Sequence, residues 1–319
     1  MKKRNIGKSG LPVSLIGLGC NNFGGRLDLE ASRRVVDKAL DVGITFFDTA
    51  DTYGGYGYGN YGGSESFLGQ IFGERRKDII LATKFGMRMD DAQTKKGASR
   101  RYIMTAVEDS LRRLRTDWID LYQLHAPDPL TPIEETLRAL DDLVSQGKVR
   151  YIGCSNLPAW QVVEGLWTSR HLGLHSFISC QDEYSLLVRD IEQELIPAVS
   201  AYRLGVLPYF PLASGFLTGK YERNKPMPPG ARLTNTERLA GRYINEYNWP
   251  IVEKLRDFAA QRGHTLLELA FSWLASKPII SSVIAGATKP EQVEQNVKAA
   301  DWELTPDDFT EIDRLTGKG

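Results

Sequence analysis

Four titratable side chains, Asp48, Tyr53, Lys84 and His125, each follow closely after a short apolar run in this sequence. Such runs are typical of buried β-strands, so we expect the four side chains at the carboxyl ends of successive strands. A carboxylate, a phenol, an ammonium and an imidazole can together hold, tune and transfer a proton. The residue types therefore predict proton transfer to or from a bound substrate.

Lys84 allows two different chemistries. As an amine, it could form a Schiff base with a carbonyl substrate. As a cation, it would lower the pKa of a neighbouring phenol, which titrates near ~10 when free. On this second hypothesis Tyr53 donates the proton, Asp48 orients the ammonium, and His125 orients a substrate carbonyl or relays the proton. The structural alternative is a buried Lys84–Asp48 ion pair, but the placement at successive strand ends favours catalysis.

Strand-like and helix-like segments alternate along the chain, as in a parallel sheet covered by helices. Eight such units predict an α/β fold of the (β/α)8 TIM barrel type, whose active site lies at the carboxyl ends of the strands. A doubly wound sheet is the alternative. The first strand is predicted over residues 14–17 and the sixth helix over 191–202, with an N-terminal β-hairpin over 4–13 and a long loop over 211–235 after strand seven. Residues 1–319 are predicted to form a single domain.

Composition excludes several classes of protein. The chain has 40 basic and 40 acidic residues, so no basic stripe predicts a nucleic-acid partner. No apolar stretch is long enough for a membrane span, and the charged N-terminus lacks the apolar region of a signal peptide, so we expect a cytoplasmic protein. The three cysteines are far apart and predict no disulfide framework. His171 and His175 have metal-ligand spacing but no acidic partner nearby, so no metal site is predicted.

The segment 57–62 matches the G-x-G-x-x-G pattern of dinucleotide-binding turns. A true fingerprint begins where its strand ends, whereas residues 49–54 intervene here. The alternation of glycine with tyrosine favours a flexible aromatic loop over the site, with a role in shaping the substrate pocket.

Several segments together resemble the aldo-keto reductase family over nearly the full length of the chain. Residues 47–54 resemble its aspartate–tyrosine signature, while 82–84, 124–128 and 147–156 resemble its lysine, histidine and strand-five segments. The resemblance implies an oxidoreductase in which Tyr53 protonates the oxygen of an aldehyde or ketone, a small-molecule substrate. It also implies a nicotinamide cofactor as the source of hydride.

The resemblance further assigns the residues that would bind this cofactor. Ser155, Asn156 and Gln181 would hydrogen-bond the nicotinamide carboxamide, and Tyr209 would stack on its ring. The loop over 211–221 would fold over the pyrophosphate, and the helix after residue 289 would begin at an anion site. The full set is Cys20, Asn21, Asp48, Ser155, Asn156, Gln181, Tyr209, Phe210, Leu212, Ser214, Lys220, Gly286, Thr288, Lys289, Gln292, Gln295 and Asn296.

Two residues depart from the family pattern. Phe210 stands where a small polar residue is common, which would alter the pyrophosphate contact, and Gln292 stands where many members have an arginine for the 2′-phosphate. Because Thr288 and Lys289 could still bind that phosphate, the resemblance implies NADP(H), with NAD(H) as the alternative. Potassium-channel beta subunits also resemble this family, so a nucleotide-sensing binding module with little turnover is the second hypothesis.

Overall fold

The structure is a computed structural model that describes residues 1–55, 57–90 and 92–318. It begins with an antiparallel hairpin of β1 (Lys3–Asn5) and β2 (Pro12–Ser14). The Arg4 guanidinium donates to the carbonyl oxygens of Ala275, Lys277 and Ile280 at 2.6, 2.9 and 2.8 Å. The predicted hairpin is therefore confirmed, and these bonds fasten it to the body of the protein.

Within the described residues, eight parallel strands form the barrel. They are β3 (Ile16–Gly19), β4 (Phe46–Asp48), β5 (Ile80–Phe85), β6 (Ile119–Leu124), β7 (Val149–Ser155), β8 (Phe177–Glu183), β9 (Gly205–Tyr209) and β10 (Val283–Gly286). Their order is β10-β3-β4-β5-β6-β7-β8-β9. The two ends of this sheet meet where the Val206 amide donates to Ile279 O at 2.9 Å and the Ser281 amide donates to Val206 O at 3.0 Å. The predicted TIM barrel is confirmed.

Helices surround this barrel. They are α1 (Leu29–Asp41), α2 (Gly63–Phe72), α3 (Arg100–Leu114), α4 (Ile133–Ser145), α5 (Ala159–Leu172), α6 (Leu195–Tyr202), α7 (Glu237–Tyr243), α8 (Asn248–Gln261), α9 (Leu266–Ala275), α10 (Pro290–Lys298) and α11 (Pro306–Leu315). Side-chain caps mark several starts: Asp28 accepts from the Ala31 amide at 2.8 Å, and Thr265 and Glu268 form a reciprocal capping box. None of the helices in the described ranges is long and apolar enough to cross a membrane.

The barrel has two apolar layers. Ile6, Leu11 and Val13 of the hairpin region pack against the buried side chains at the lower end of the barrel, including Phe46 and Leu207. A second and larger cluster lies between the strands and the helices. With its lower end filled in this way, the barrel exposes polar side chains at the carboxyl ends of its strands.

Three predicted boundaries were wrong. The first barrel strand begins at Ile16 because Ser14 still pairs with the hairpin. The predicted helix over 191–202 is a short 3-10 turn, Asp190–Glu192, followed by α6, because Pro197 has no amide hydrogen and is tolerated only in a first turn. The predicted loop over 211–235 contains the 3-10 segment Ala213–Thr218 and leads into α7, which is too short to show a clear apolar period.

The Gly/Tyr-rich loop over 54–63 packs beside the barrel mouth, although Tyr56 lies outside the described residues. Gly57 and Gly59 have positive φ angles of 79° and 68°. The Tyr58 ring lies so close to Gly25 that a Cβ there would come within 2.7 Å of it. Neither Tyr58 nor Tyr61 is among the described residues that line the cavity discussed below. The role of this loop in shaping the substrate pocket stays a prediction.

Candidate active site

The four titratable side chains come from three neighbouring strands. Asp48 is the last residue of β4, Lys84 lies in β5, and His125 directly follows β6. Tyr53 follows Asp48 on a turn whose backbone is held by bonds such as that from the Tyr53 amide to Ala50 O, at 3.1 Å. Because parallel neighbouring strands end at one edge, the barrel brings these side chains together as predicted.

The Lys84 ammonium is the centre of this group. It donates to Asp48 Oδ2 at 2.6 Å, to Thr49 O at 2.8 Å and to the Tyr53 hydroxyl at 3.3 Å. These three contacts use all three of its donors. The Lys84 side chain is 0% exposed and that of Asp48 is 3% exposed, so solvent does not screen the pair.

Two glutamines hold the other oxygen of Asp48. Gln123 Nε2 and Gln181 Nε2 donate to Asp48 Oδ1 at 3.2 and 2.9 Å. Gln123 was not among the predicted site residues. It lies in β6, two residues before His125, so its side chain lies on the same inward face of the barrel as that of His125. Because the side-chain nitrogen of Gln181 is bonded to Asp48, the side-chain oxygen of Gln181 is available for a ligand.

The protonation states follow from burial and from Lys84. Burial raises the pKa of Tyr53 above its ordinary value, and the nearby Lys84 cation opposes this rise without cancelling it. The predicted net lowering of this pKa was therefore wrong in this structure, although the effect of Lys84 has the expected sign. Attraction to Asp48 and Tyr53 outweighs burial and raises the pKa of Lys84. A charged, fully engaged ammonium is a poor nucleophile, so the Schiff-base alternative is disfavoured.

His125 is a neutral imidazole. Burial and the Lys84 cation hold its pKa well below the usual range. Its ring packs edge-on against Tyr53, with centroids 5.8 Å apart. Its Nδ1 atom has no hydrogen-bond partner in the part of the chain that the structure describes. A neutral imidazole beside the phenol can orient a carbonyl oxygen without adding charge to the site.

Asn156 joins the ends of three strands, β6, β7 and β9, at the mouth of the barrel. Its Nδ2 donates to His125 O and Ser155 Oγ, both at 3.0 Å, and its Oδ1 accepts from the Tyr209 hydroxyl at 2.8 Å. Its φ of 60° lies in the left-handed region, where asparagine is tolerated better than most residues. Ser155 Oγ donates to Gln181 O at 2.8 Å. The residues predicted to bind a carboxamide thus form one hydrogen-bonded group.

A cavity of about 690 Å³ opens above this group. This volume lies within the usual range of small-molecule sites, about 300–1,000 Å³. The predicted residues on its wall are Asn21, Asp48, Tyr53, His125, Ser155, Asn156, Gln181, Tyr209, Phe210, Leu212, Ser214, Lys220, Gly286, Thr288, Gln292, Gln295 and Asn296. Three predicted residues are not among the described lining residues. Cys20 and Lys84 are buried behind the wall, and Lys289 is exposed outside it.

The cavity wall also contains basic residues that the sequence analysis did not select. Arg26 comes from the connection between β3 and α1, Arg232 from the loop after β9, and Arg238 and Arg242 from α7. Glu183, the last residue of β8, also lines the cavity. These residues belong to no short sequence motif, so they could not be predicted as site residues. They come together only because the long loop folds over the mouth of the barrel.

The two departures from the family pattern have visible partners. The Arg232 guanidinium lies 4.9 Å from the centroid of the Phe210 ring, a cation–π contact that fixes the loop over this position. Gln292 Oε1 accepts from the Thr288 amide at 2.8 Å, so this side chain caps the turn before α10. Phe210 therefore orders a cation at the mouth rather than leaving a gap.

Metal ligands do not gather in the described residues: no group of three or more His, Cys, Asp or Glu side chains could hold an ion there. His175 instead pairs with Asp141, its Nδ1 lying 2.7 Å from Asp141 Oδ1.

Comparison with known proteins agrees with this geometry. The model of the Aldo/keto reductase family matches residues 15–316. The chain is 37% identical to a probable voltage-gated potassium channel subunit beta of Oryza sativa subsp. japonica, over 99% of this chain and 96% of that protein. It is 35% identical to the uncharacterized oxidoreductase YrpG of Bacillus subtilis (strain 168), over 95% of this chain and 92% of that protein. The family model and the oxidoreductase relative together support an oxidoreductase. The chain belongs to the aldo-keto reductase family, as the sequence resemblance indicated.

Proposed function

We propose that this protein reduces an aldehyde or ketone to an alcohol, with NADPH as the preferred cofactor. The observation that carries the proposal is the Tyr53 hydroxyl, which lies on the cavity wall 3.3 Å from the buried Lys84 ammonium. A reduced nicotinamide supplies a hydride when it is bound. The protein must then deliver one proton to the carbonyl oxygen, and Tyr53 is the cavity-lining acid with a cationic neighbour.

The side chains of the cavity suit a dinucleotide. Ser155, Asn156 and Gln181 present hydroxyl and amide groups of the kind that would hold a carboxamide. At the other end, Gln295 and Asn296 could hold an adenine. The presence of both polar groups on the wall of one cavity supports a nicotinamide dinucleotide as the cofactor.

Cations lie between these two ends. Lys220, Arg26 and Arg232 line the cavity. Burial first, and then the charge of Arg26, lower the pKa of both Lys220 and Arg232, which is the effect expected of a further cation near a partly buried one. Pyrophosphate and 2′-phosphate groups would supply negative charge beside these cations. Because NADH and NADPH share the pyrophosphate, these cations support a dinucleotide of either kind, and the preference for NADPH rests on the family to which the chain belongs.

Each catalytic side chain would have one task. Tyr53 stays protonated near neutral pH, because burial raises its pKa, and would give its proton to the carbonyl oxygen. Lys84 would stabilise the phenolate that remains, and Asp48 would hold Lys84 in place through the 2.6 Å ion pair. Neutral His125 would donate a hydrogen bond to the same carbonyl oxygen and orient it.

The test compares Tyr53→Phe with Tyr247→Phe, a matched change at a tyrosine that is 75% exposed. We expect Tyr53→Phe to lower kcat for NADPH-dependent reduction about 10²- to 10⁴-fold, the usual range for a general acid. NADPH affinity, followed by fluorescence, should change little in either variant. Wild-type turnover in Tyr53→Phe would refute the acid assignment, and the absence of NADPH binding to the wild-type protein would refute the whole proposal.

The names of the relatives favour a second function, that of a nucleotide-sensing subunit. The proteins from Oryza sativa, Arabidopsis thaliana and Schizosaccharomyces pombe are each named as potassium channel subunits beta. The complete set of Asp48, Tyr53, Lys84 and His125 supports catalysis as the first choice. A protein that binds NADPH tightly but oxidises it negligibly with a broad panel of aldehydes, ketones and keto-sugars would reverse this order.

A further inference from the structure

Helix α7 is fastened to the cavity rim by one buried carboxylate. Glu183, at the end of β8, accepts a hydrogen bond from the Tyr243 hydroxyl. It also forms an ion pair with Arg242, whose Nη2 atom lies 2.6 Å from Glu183 Oε2. Asn248 Nδ2 donates to Tyr243 O at 2.9 Å and secures the end of the helix. These contacts hold α7 against the mouth of the cavity, so its side chains have defined positions there.

The face of α7 that lines the cavity is basic. Arg238 and Arg242 are one helical turn apart and lie on the same face, and both line the cavity that contains Tyr53 and His125. One guanidinium nitrogen of Arg242 is engaged by Glu183, which leaves other donors free. Arg238 is exposed and has no ion-pair partner among the described residues. Glu237 of α7 is not among the described residues that line the cavity, and Glu183 offsets the charge of Arg242, so Arg238 is the α7 cation on the cavity wall that lacks an ion-pair partner in the described residues.

This charge stands near the catalytic end of the cavity. Arg242 is paired with Glu183, and Glu183 lies opposite Tyr209 in the register of β8 with β9. The charge of Arg242 opposes the rise that burial causes in the pKa of Tyr209. The other charges near Tyr53 are already balanced, because Lys84 is paired with Asp48 and His125 is neutral. The cations proposed for the cofactor phosphates, Lys220, Arg26 and Arg232, lie outside α7. The α7 arginines are thus left for another ligand.

We propose that Arg238 and Arg242 make this protein selective for carbonyl substrates that carry a carboxylate or a phosphate. The inference rests on the proposed reductase function and adds a substrate class to it. A guanidinium presents paired N–H donors that match both anions in geometry and charge. A basic rim above a narrow cavity also raises the rate at which anionic substrates enter, and salt weakens that effect. Arg242 additionally keeps α7 in place through Glu183, so Arg238 is the residue to change.

The test uses 4-formylbenzoate and its uncharged methyl ester, two aldehydes of similar shape. The variants are Arg238→Gln and Arg101→Gln, the latter an exposed arginine on α3 that is not among the cavity-lining residues. We expect wild-type kcat/KM to favour the carboxylate about tenfold at low salt, an amount that one well-placed ion pair can supply. Arg238→Gln should lose most of this preference while its rate with the ester is kept, and Arg101→Gln should behave as wild type. The same measurement of kcat/KM with a phosphate-bearing aldehyde, 4-formylphenyl phosphate, shows whether the site prefers phosphate or carboxylate.

A binding measurement separates this inference from the proposed chemistry. NADPH-loaded protein is titrated with benzoate and with benzamide, neither of which can be reduced at a carbonyl here. We expect benzoate to bind several-fold more tightly, and the difference to vanish in Arg238→Gln and at high salt. Equal affinities in the wild-type protein, or equal loss in Arg238→Gln and Arg101→Gln, would overturn the anion site. If benzoate binds selectively but no aldehyde is reduced, the reductase proposal fails while the anion site stands.

Discussion

Removing the Lys84 ammonium tests the central ion pair. The change is Lys84→Met, which keeps the length and apolar stem of the side chain but deletes its charge. Asp48 would then lie buried with only the two amide donors, Gln123 and Gln181, on its Oδ1 atom. Its Oδ2 atom, which now accepts from Lys84 at 2.6 Å, would lose that donor.

The magnitude follows from burial. Since the two side chains are 0% and 3% exposed, the remaining charge cannot be solvated. Breaking such a buried pair by removing one partner typically lowers the free energy of unfolding by about 3–5 kcal/mol. The double variant Asp48→Asn/Lys84→Met no longer contains a buried charge at this site. It should therefore be more stable than Lys84→Met. The coupling energy, which is the loss in the double variant minus the losses in the two single variants, should have a magnitude of about 1–3 kcal/mol.

Urea unfolding followed by tryptophan fluorescence and circular dichroism measures this effect. The four proteins of the cycle are compared at pH 7, and the slopes of the transitions must agree for the midpoints to be compared. A loss below about 1 kcal/mol in Lys84→Met would contradict the buried-pair reasoning. So would a double variant no more stable than Lys84→Met, because the cost would then come from packing rather than from the unpaired carboxylate.

Two further predictions concern stability. Asp182 lies in β8, where burial raises its pKa to about 8. The stability that this carboxyl group contributes is therefore fully present below the pKa that it has in the unfolded chain, near ~3.9, and is lost as the pH rises through 8. Asp182→Asn should therefore raise Tm above wild type by about 2 °C or more at pH 9 but not at pH 4, and a difference independent of pH would contradict this. Arg4→Ala should lower the free energy of unfolding by about 2 kcal/mol and speed amide exchange in β1 and β2, because three carbonyl contacts are lost. Lys3→Ala, on the exposed edge of the same hairpin, should change neither.

Much of the fold could be predicted because its signals are local. Apolar runs located most strands and helices, and the alternation of the two identified a barrel. The failures were also local. Pro197 is compatible only with the first turn of a helix, so α6 begins later than predicted, and α7 has too few residues for its apolar period to stand out within a loop.

The candidate site was predictable to a lesser degree. The positions of Tyr53, Lys84 and His125 could be read from the strand ends. Gln123 and the basic residues at the cavity mouth could not, because nothing in their sequence neighbourhood relates them to Asp48 or Tyr53. Their proximity arises only when segments far apart in the chain close over the barrel.

The amino-acid sequence by itself determined the barrel and the four residues that could move a proton, because strand pattern and side-chain chemistry are properties of short segments. Only the tertiary structure decided the charge state of those residues. Burial outweighs Lys84 in setting the pKa of Tyr53, whereas Asp48 and Tyr53 outweigh burial in setting that of Lys84. Such a balance depends on desolvation and on distances between separate strands, neither of which is written in any one segment of the sequence.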